Sequence, residues 1–221
     1  MRAVIFDLDG TLVDSLEQIH AAVNFARVQG GYNELPLSGV REFLGLPAEV
    51  FFLDLPITPD RVKQLIDLLR MQLRVSISAN NKVFPGVIDT LSELKKSGTL
   101  VGVATSKPDA LAQLVVRNSS LSPYIDFCLG TDGFPAKPDP SVILKSMHIL
   151  GTNDAVMVGD RIEDVNAALA AGIPAVGVSQ SAHSQEQLRD ASASLTFDSM
   201  IQLNKSISAL NELFIDRNQS C

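Results

Sequence analysis

The chain has 221 residues, 46% of them hydrophobic, and a net charge of -7 from 25 acidic and 18 basic side chains. That is ample for a sizeable core, yet no uninterrupted apolar run reaches the roughly 18 residues of a membrane-spanning helix. The acidic balance and the lack of a basic block exclude sequence-independent nucleic-acid binding. With no long apolar leader before the first strand, the sequence predicts a cytoplasmic protein.

Ala3 to Phe6 reads as a buried strand that ends abruptly in Asp7 and Asp9. Side chains two apart in an extended chain point the same way, so both carboxylates can converge beyond the strand end. Gly10 then permits a sharp turn or the close approach of a ligand. Two anions so near each other repel unless a cation or a shared proton relieves them. Helical spacing follows through Leu16, Ile19, Val23 and Ala26 up to Gly30-Gly31, with Asp14 placed to cap that helix. A second helix is predicted over Leu37 to Phe43, and an amphipathic third over Pro59 to Val75, striped by Val62, Leu65, Ile66, Leu69 and Leu73. Asn80-Asn81 looks like a break. Residues 15–82 therefore read as an all-helical insert, and residues 1–14 with 83–221 as the body that carries it.

From Val83 the texture changes to strand and helix in alternation. Helix Gly86 to Ser97 stops at Gly98 and leads into strand Leu100 to Ala104. Thr105-Ser106-Lys107 follows, and Pro108 opens a helix to Asn118. Further strands are predicted at Ile125 to Leu129, Ala155 to Val158, Pro174 to Val178 and Ser194 to Phe197. The helices between them are Ser141 to Leu150, Glu163 to Ala171 and Ser184 to Ala191, with a last one over Met200 to Phe214 before a loose tail. Short apolar strands alternating with helices mean right-handed parallel units and a doubly wound α/β sheet. Ligands in such sheets bind beyond the carboxyl ends of the strands.

Those ends carry the chemistry. Strand one gives Asp7 and Asp9, strand two Thr105, Ser106 and Lys107, and the loop after strand three Lys137. Strand four gives Asp160 and, four residues on, Asp164. Clustered carboxylates suit a hard cation such as Mg²⁺. An aspartate beside it can attack phosphorus, while positive charge and amide dipoles steady the phosphoryl oxygens. Thr105, near a helix start, offers a hydroxyl and free N–H groups, and Lys137 a compact charge. Cys128 reads as a small core residue and Cys221 as a loose thiol. His20, His148 and His183 lie far apart and form no metal motif.

Together these residues resemble the four motifs of the haloacid-dehalogenase-like hydrolase superfamily. The first is Asp7-Leu8-Asp9-Gly10-Thr11, the second Val103 to Lys107, the third Lys137-Pro138 and the fourth Gly159-Asp160 through Asp164. The helical insert resembles the small-cap subgroup, and the whole is closest in texture to phosphoglycolate-phosphatase-like members. The resemblance implies a Rossmann-like core with the insert as its cap, and a phosphatase acting on a small phosphorylated metabolite. In it Asp7 is the nucleophile and a Mg²⁺ ligand. Asp9 is the general acid and then the base, with its carbonyl on the metal. Thr105, Ser106 and Lys137 hold the phosphoryl group, Asp160 is a ligand, and Asp164 stands behind the ligands. Arg161 departs from the Ser or Thr common after that aspartate. It adds charge to the site or points away from it.

A phosphomutase of the same family is the nearest alternative. It carries a helper histidine where this chain has Ile19, with His20 one residue late and turned by about 100°. A dehalogenase has no use for Asp9, and receiver domains lack the insert and the Asp-x-Asp. A member that only binds phosphorylated ligands also stays open, as do monomer and homodimer. Substrate choice falls to the cap, where Arg41 is the charge expected to meet a substrate carboxylate.

Overall fold

In the computed structural model, which describes residues 2–79 and 81–215, six parallel strands form one sheet in the order β3-β2-β1-β4-β5-β6. They are β1 Arg2–Phe6, β2 Leu100–Ala104, β3 Phe127–Leu129, β4 Asp154–Gly159, β5 Ala175–Val178 and β6 Leu195–Phe197. The order runs outward from β1 in both directions, so the chain reverses at the β1/β4 seam. That seam is where a doubly wound sheet opens a crevice. Register is tight there, with Phe6 opposite Val103 on one side and Val158 on the other.

Among the described residues ten helices flank the sheet or lie within the insert. The insert supplies α1 Leu16–Gln29, α2 Leu37–Glu42 and α3 Pro59–Ala79, with a 3-10 turn at Ala48–Phe52. The remainder supplies α4 Val87–Lys96, α5 Asp109–Arg117, α6 Ser141–Leu150, α7 Ile162–Ala170, α8 Gln185–Asp190, α9 Met200–Lys205 and α10 Ile207–Ile215. Alternate residues of each strand feed opposite faces, as the two-residue period requires. Val4, Phe6, Val101 and Val156 pack with α4, α5, α9 and α10, in a core that continues into the insert. Ala3, Ile5, Ala155 and Met157 pack with α6, α7 and α8. Both faces are covered, which is why the strands read as continuous apolar runs.

The elements depart from the sequence expectations in four places. The 3-10 turn is too short to show a period. Helix α3 continues to Ala79, past Val75. The last predicted helix breaks at Ser206, whose backbone leaves the helical region and separates α9 from α10. Asp14 does not cap α1; its carboxylate pairs with Lys82 at 2.6 Å. Asn80, Cys221 and the tail beyond Ile215 lie outside the described residues. Buried Cys128 sits where expected, its thiol pushed up to about 12 by burial.

The insert leaves and rejoins through paired backbone. Val13 bridges Val83 antiparallel, Asp14 N donates to Lys82 O at 2.8 Å, and Phe84 N donates to Leu12 O at 3.0 Å. Among the described residues no helix is long and apolar enough to cross a membrane.

Candidate active site

Asp7 is the first residue past β1, and its N–H donates to Val158 O at 2.9 Å, so the ladder holds it at the β1/β4 seam. Leu12 N and Val13 N then both bond to Leu8 O, coiling the chain into a tight turn that carries Asp9 back over the strand end. Gly10 makes that turn possible at φ +89, and a Cβ there would come within 2.4 Å of Asp160 Oδ2. Gly10→Ala therefore adds backbone strain and a clash with a rigid carboxylate. It is expected to cost about 2 kcal/mol or more, read as a lower urea midpoint at unchanged slope.

Lys137 reaches in from the loop between β3 and α6. Its ammonium donates to Asp7 Oδ1 at 2.6 Å, Asp164 Oδ1 at 2.5 Å and Ala104 O at 3.1 Å, all buried. Burial works against that charge, but Asp164 and Asp7 outweigh it and hold Lys137 above its ordinary value. Burial likewise lifts Asp7 to about 7, with Lys137 pulling down and Asp164 pushing up. Asp160 is fully buried at the end of β4. It accepts from Thr11 Oγ1 at 2.8 Å and Ala182 N at 3.2 Å. Burial, then Asp164 and Asp7, raise it well above the usual carboxylate range.

Oxygens of Asp7, Asp160 and Asp164 lie within 4.8 Å of one another. Three carboxylates thus face one ammonium, an imbalance that a hard divalent cation corrects, and oxygen donors are what Mg²⁺ takes. The residues fit such an ion. Both Asp164 oxygens are already engaged, one by Lys137 and the other by Arg161 N at 3.0 Å. Asp160 likewise accepts at both oxygens, so all three carboxylates carry hydrogen bonds, and their oxygens keep further lone pairs to offer a metal. Gly159 lets the Asp164 carboxylate lie against the backbone, where a Cβ would meet it at 2.3 Å.

On the other side of Asp7, Thr105 is buried at the end of β2, its N–H on Leu129 O at 3.1 Å and its hydroxyl accepting from Lys107 N at 3.3 Å. Ser106 is buried beside it and lines the cavity under the insert. Lys107, which the sequence placed at the end of strand two without a role of its own, pairs with Asp9 Oδ2 at 2.9 Å. Thr11, named in the first motif without a role, is the residue whose hydroxyl holds Asp160. Asp7, Asp9, Thr105, Ser106, Lys137, Asp160 and Asp164 thus come together at one edge of the sheet. Arg41 does not join them. It is exposed on α2, away from the cavity at Asp9, which receives Arg70 from α3 instead. Arg70 flanks the stripe of Ile66, Leu69 and Leu73, and that position was the available signal.

Arg161 turns away from the carboxylates. Its guanidinium donates to Leu44 O at 2.7 Å and Glu42 O at 3.2 Å, both in the insert, and to Glu163 at 2.9 Å. The residue that breaks the family pattern ties α7 to the loop that closes over Asp9.

The family model of haloacid dehalogenase-like hydrolases matches residues 4–178. A protein of Dickeya dadantii named a probable phosphatase, IndB, is 35% identical over 218 residues, covering 95% of each chain. Phosphoglycolate phosphatase 1 of Pseudomonas aeruginosa is 32% identical, covering 91% of this chain and 78% of its own. The crystal structure of a predicted phosphatase from Clostridium acetobutylicum superposes with a TM-score of 0.85 at 32% identity, over 94% of this chain and 98% of that one. The fold, the ordered strand-end residues and these likenesses converge: the chain belongs to the haloacid dehalogenase-like hydrolases, among relatives named as phosphatases.

Proposed function

We propose that the protein is a Mg²⁺-dependent phosphatase that hydrolyses a small phosphomonoester of the phosphoglycolate kind through an aspartyl phosphate on Asp7. One observation carries this reading. Two carboxylates from a single turn, Asp7 and Asp9, face one cleft and are held there by two different lysines, Lys137 and Lys107. A nucleophile and an acid/base need that separation, because each must keep its own protonation state.

Asp7 and Asp160 would hold the metal with the Asp9 carbonyl, and the metal when bound would neutralise charge on the phosphoryl oxygens. The Asp7 carboxylate attacks phosphorus, the P–O ester bond breaks, and Asp9 delivers its proton to the departing oxygen. Lys137 and the Thr105 hydroxyl steady the transferred group. Asp9, now ionised, takes a proton from water, which attacks the aspartyl phosphate and releases inorganic phosphate. In the free protein Lys107 is paired with Asp9 Oδ2 at 2.9 Å. An incoming phosphoryl group competes for that lysine.

The mutase reading is weaker on geometry. Ile19 faces the cavity, while the His20 ring nitrogen lies 3.1 Å from Leu35 O, engaged inside the insert. The test is phosphate release from a panel of phosphorylated acids, sugars and nucleotides with Mg²⁺. Release from phosphoglycolate-like acids is the expected result. No release from any member, with the protein folded, would overturn the proposal.

A further inference from the structure

The cavity between the insert and the sheet edge contains three polar atoms with nothing to bond. Asp9 Oδ1, Ser106 Oγ and Arg70 Nε are buried and lack a hydrogen-bond partner among the described residues. All three residues line the same space. Buried polar atoms in native proteins are almost always paired, so three around one cavity mark where a ligand's polar atoms belong. Apart from Lys107, which is paired with Asp9, the rest of the lining is apolar, with Ile19, Leu46, Phe51 and Leu69 prominent. The phosphoryl group itself is provided for by Lys137 and Thr105. Arg70 has no such task, since it comes from α3 and makes no ion pair or hydrogen bond within the described residues.

We propose that Arg70, backed by the Ser106 hydroxyl, reads a carboxylate on the leaving group, so that the site selects short phosphorylated acids. The inference rests on the phosphatase reading above and names the residue that gives it a substrate class. A guanidinium is a planar fork that binds a carboxylate through two parallel hydrogen bonds. Asp9 lies on the core side of the cavity, where it meets the ester oxygen, and Arg70 on the insert side, so one small molecule touches both. The space is about 50 Å³. An apolar cavity that accepts benzene is about 150 Å³, so this one suits a short leaving group with the insert in this position. The adjoining outer pocket also reaches Arg70, but Glu49 and Asp132 line it and repel an anion there. A carboxylate is therefore directed inward.

The experiment compares kcat/KM for phosphoglycolate with that for its neutral amide in the full-length protein, in Arg70→Met and in Arg70→Lys. The wild type is expected to favour the acid by about 100-fold. Arg70→Met should bring that ratio to within a few-fold of unity. Arg70→Lys, which keeps the charge and loses the fork, should fall between. Calorimetric titration with glycolate is a second readout that does not pass through the chemistry. Arg70→Met should weaken it about tenfold or more. An unchanged ratio in both variants overturns the assignment of Arg70. A wild type that cleaves acid and amide equally overturns it too, while leaving the phosphatase reading intact. Phosphate release from neither substrate overturns both.

Discussion

Asparagine at position 7 is expected to lower turnover by about 10⁴-fold or more, to background, while the fold survives. The amide has nearly the shape of the carboxylate but cannot attack phosphorus, so no aspartyl phosphate forms. Folding should tolerate the change, because Lys137 keeps its bonds to Asp164 and Ala104 O. Asparagine at position 9 should behave differently. It removes the proton donor and later the base, and leaves Asp7 intact. A nitrophenolate leaves without needing a proton, so Asp9→Asn should release about one equivalent of nitrophenol rapidly and then stall with phosphate on Asp7. Asp7→Asn should show no burst. Rapid-quench measurement of nitrophenol against protein concentration separates the two. Equal bursts, or a burst from Asp7→Asn alone, would mean that nucleophile and acid are reversed or that water attacks directly.

Removal of divalent cations is expected to reduce turnover by about 10³-fold or more, with recovery on adding Mg²⁺. The cause is the excess of carboxylate at Asp7, Asp160 and Asp164, to which the substrate adds further negative charge. Calcium should bind and support little turnover, since it takes more ligands at longer distances. The same cluster makes the affinity depend on pH. Burial raises Asp7 to about 7 and Asp160 well above the carboxylate range, so below neutrality the metal-free site holds protons. A metal must displace them. Its affinity should therefore rise as pH climbs through about 7, with proton release visible as a buffer-dependent binding heat. Full activity in excess chelator, or binding that strengthens as pH falls, contradicts the site as described.

Most of the active edge is legible in the sequence because apolar runs stop abruptly in polar residues. A parallel sheet then puts every such stop on one side, so Asp7, Thr105 and Asp160 could be brought together without coordinates. What was hidden depends on partners far apart in the chain. Lys107 looks like any lysine near a helix start until Asp9 is seen beside it. Arg70 sits at the margin of an apolar stripe, where a charged residue ordinarily marks the solvated face. Arg41 was the better guess by position in a loop-like segment, yet α2 points it outward. Asp14 has the right type for a cap and instead answers Lys82 from across the insert. The break at Ser206 escapes because apolar spacing carries across it without a gap.

The paired backbone at Leu12–Asp14 and residues 82–84 has a further consequence. Because the two ends of the insert stand side by side, the sheet experiences everything between them as a single closed loop. The entropic cost of such a loop grows only slowly with its length, so residues can be gained, lost or exchanged there with little penalty to the strands. The strand ends, by contrast, are locked to one another by register and ion pairs, and tolerate almost nothing. Inheritance can therefore act on the two pieces at different speeds. Drift on one stretch of chain alters which molecule is accepted, while the other preserves the bond that is broken.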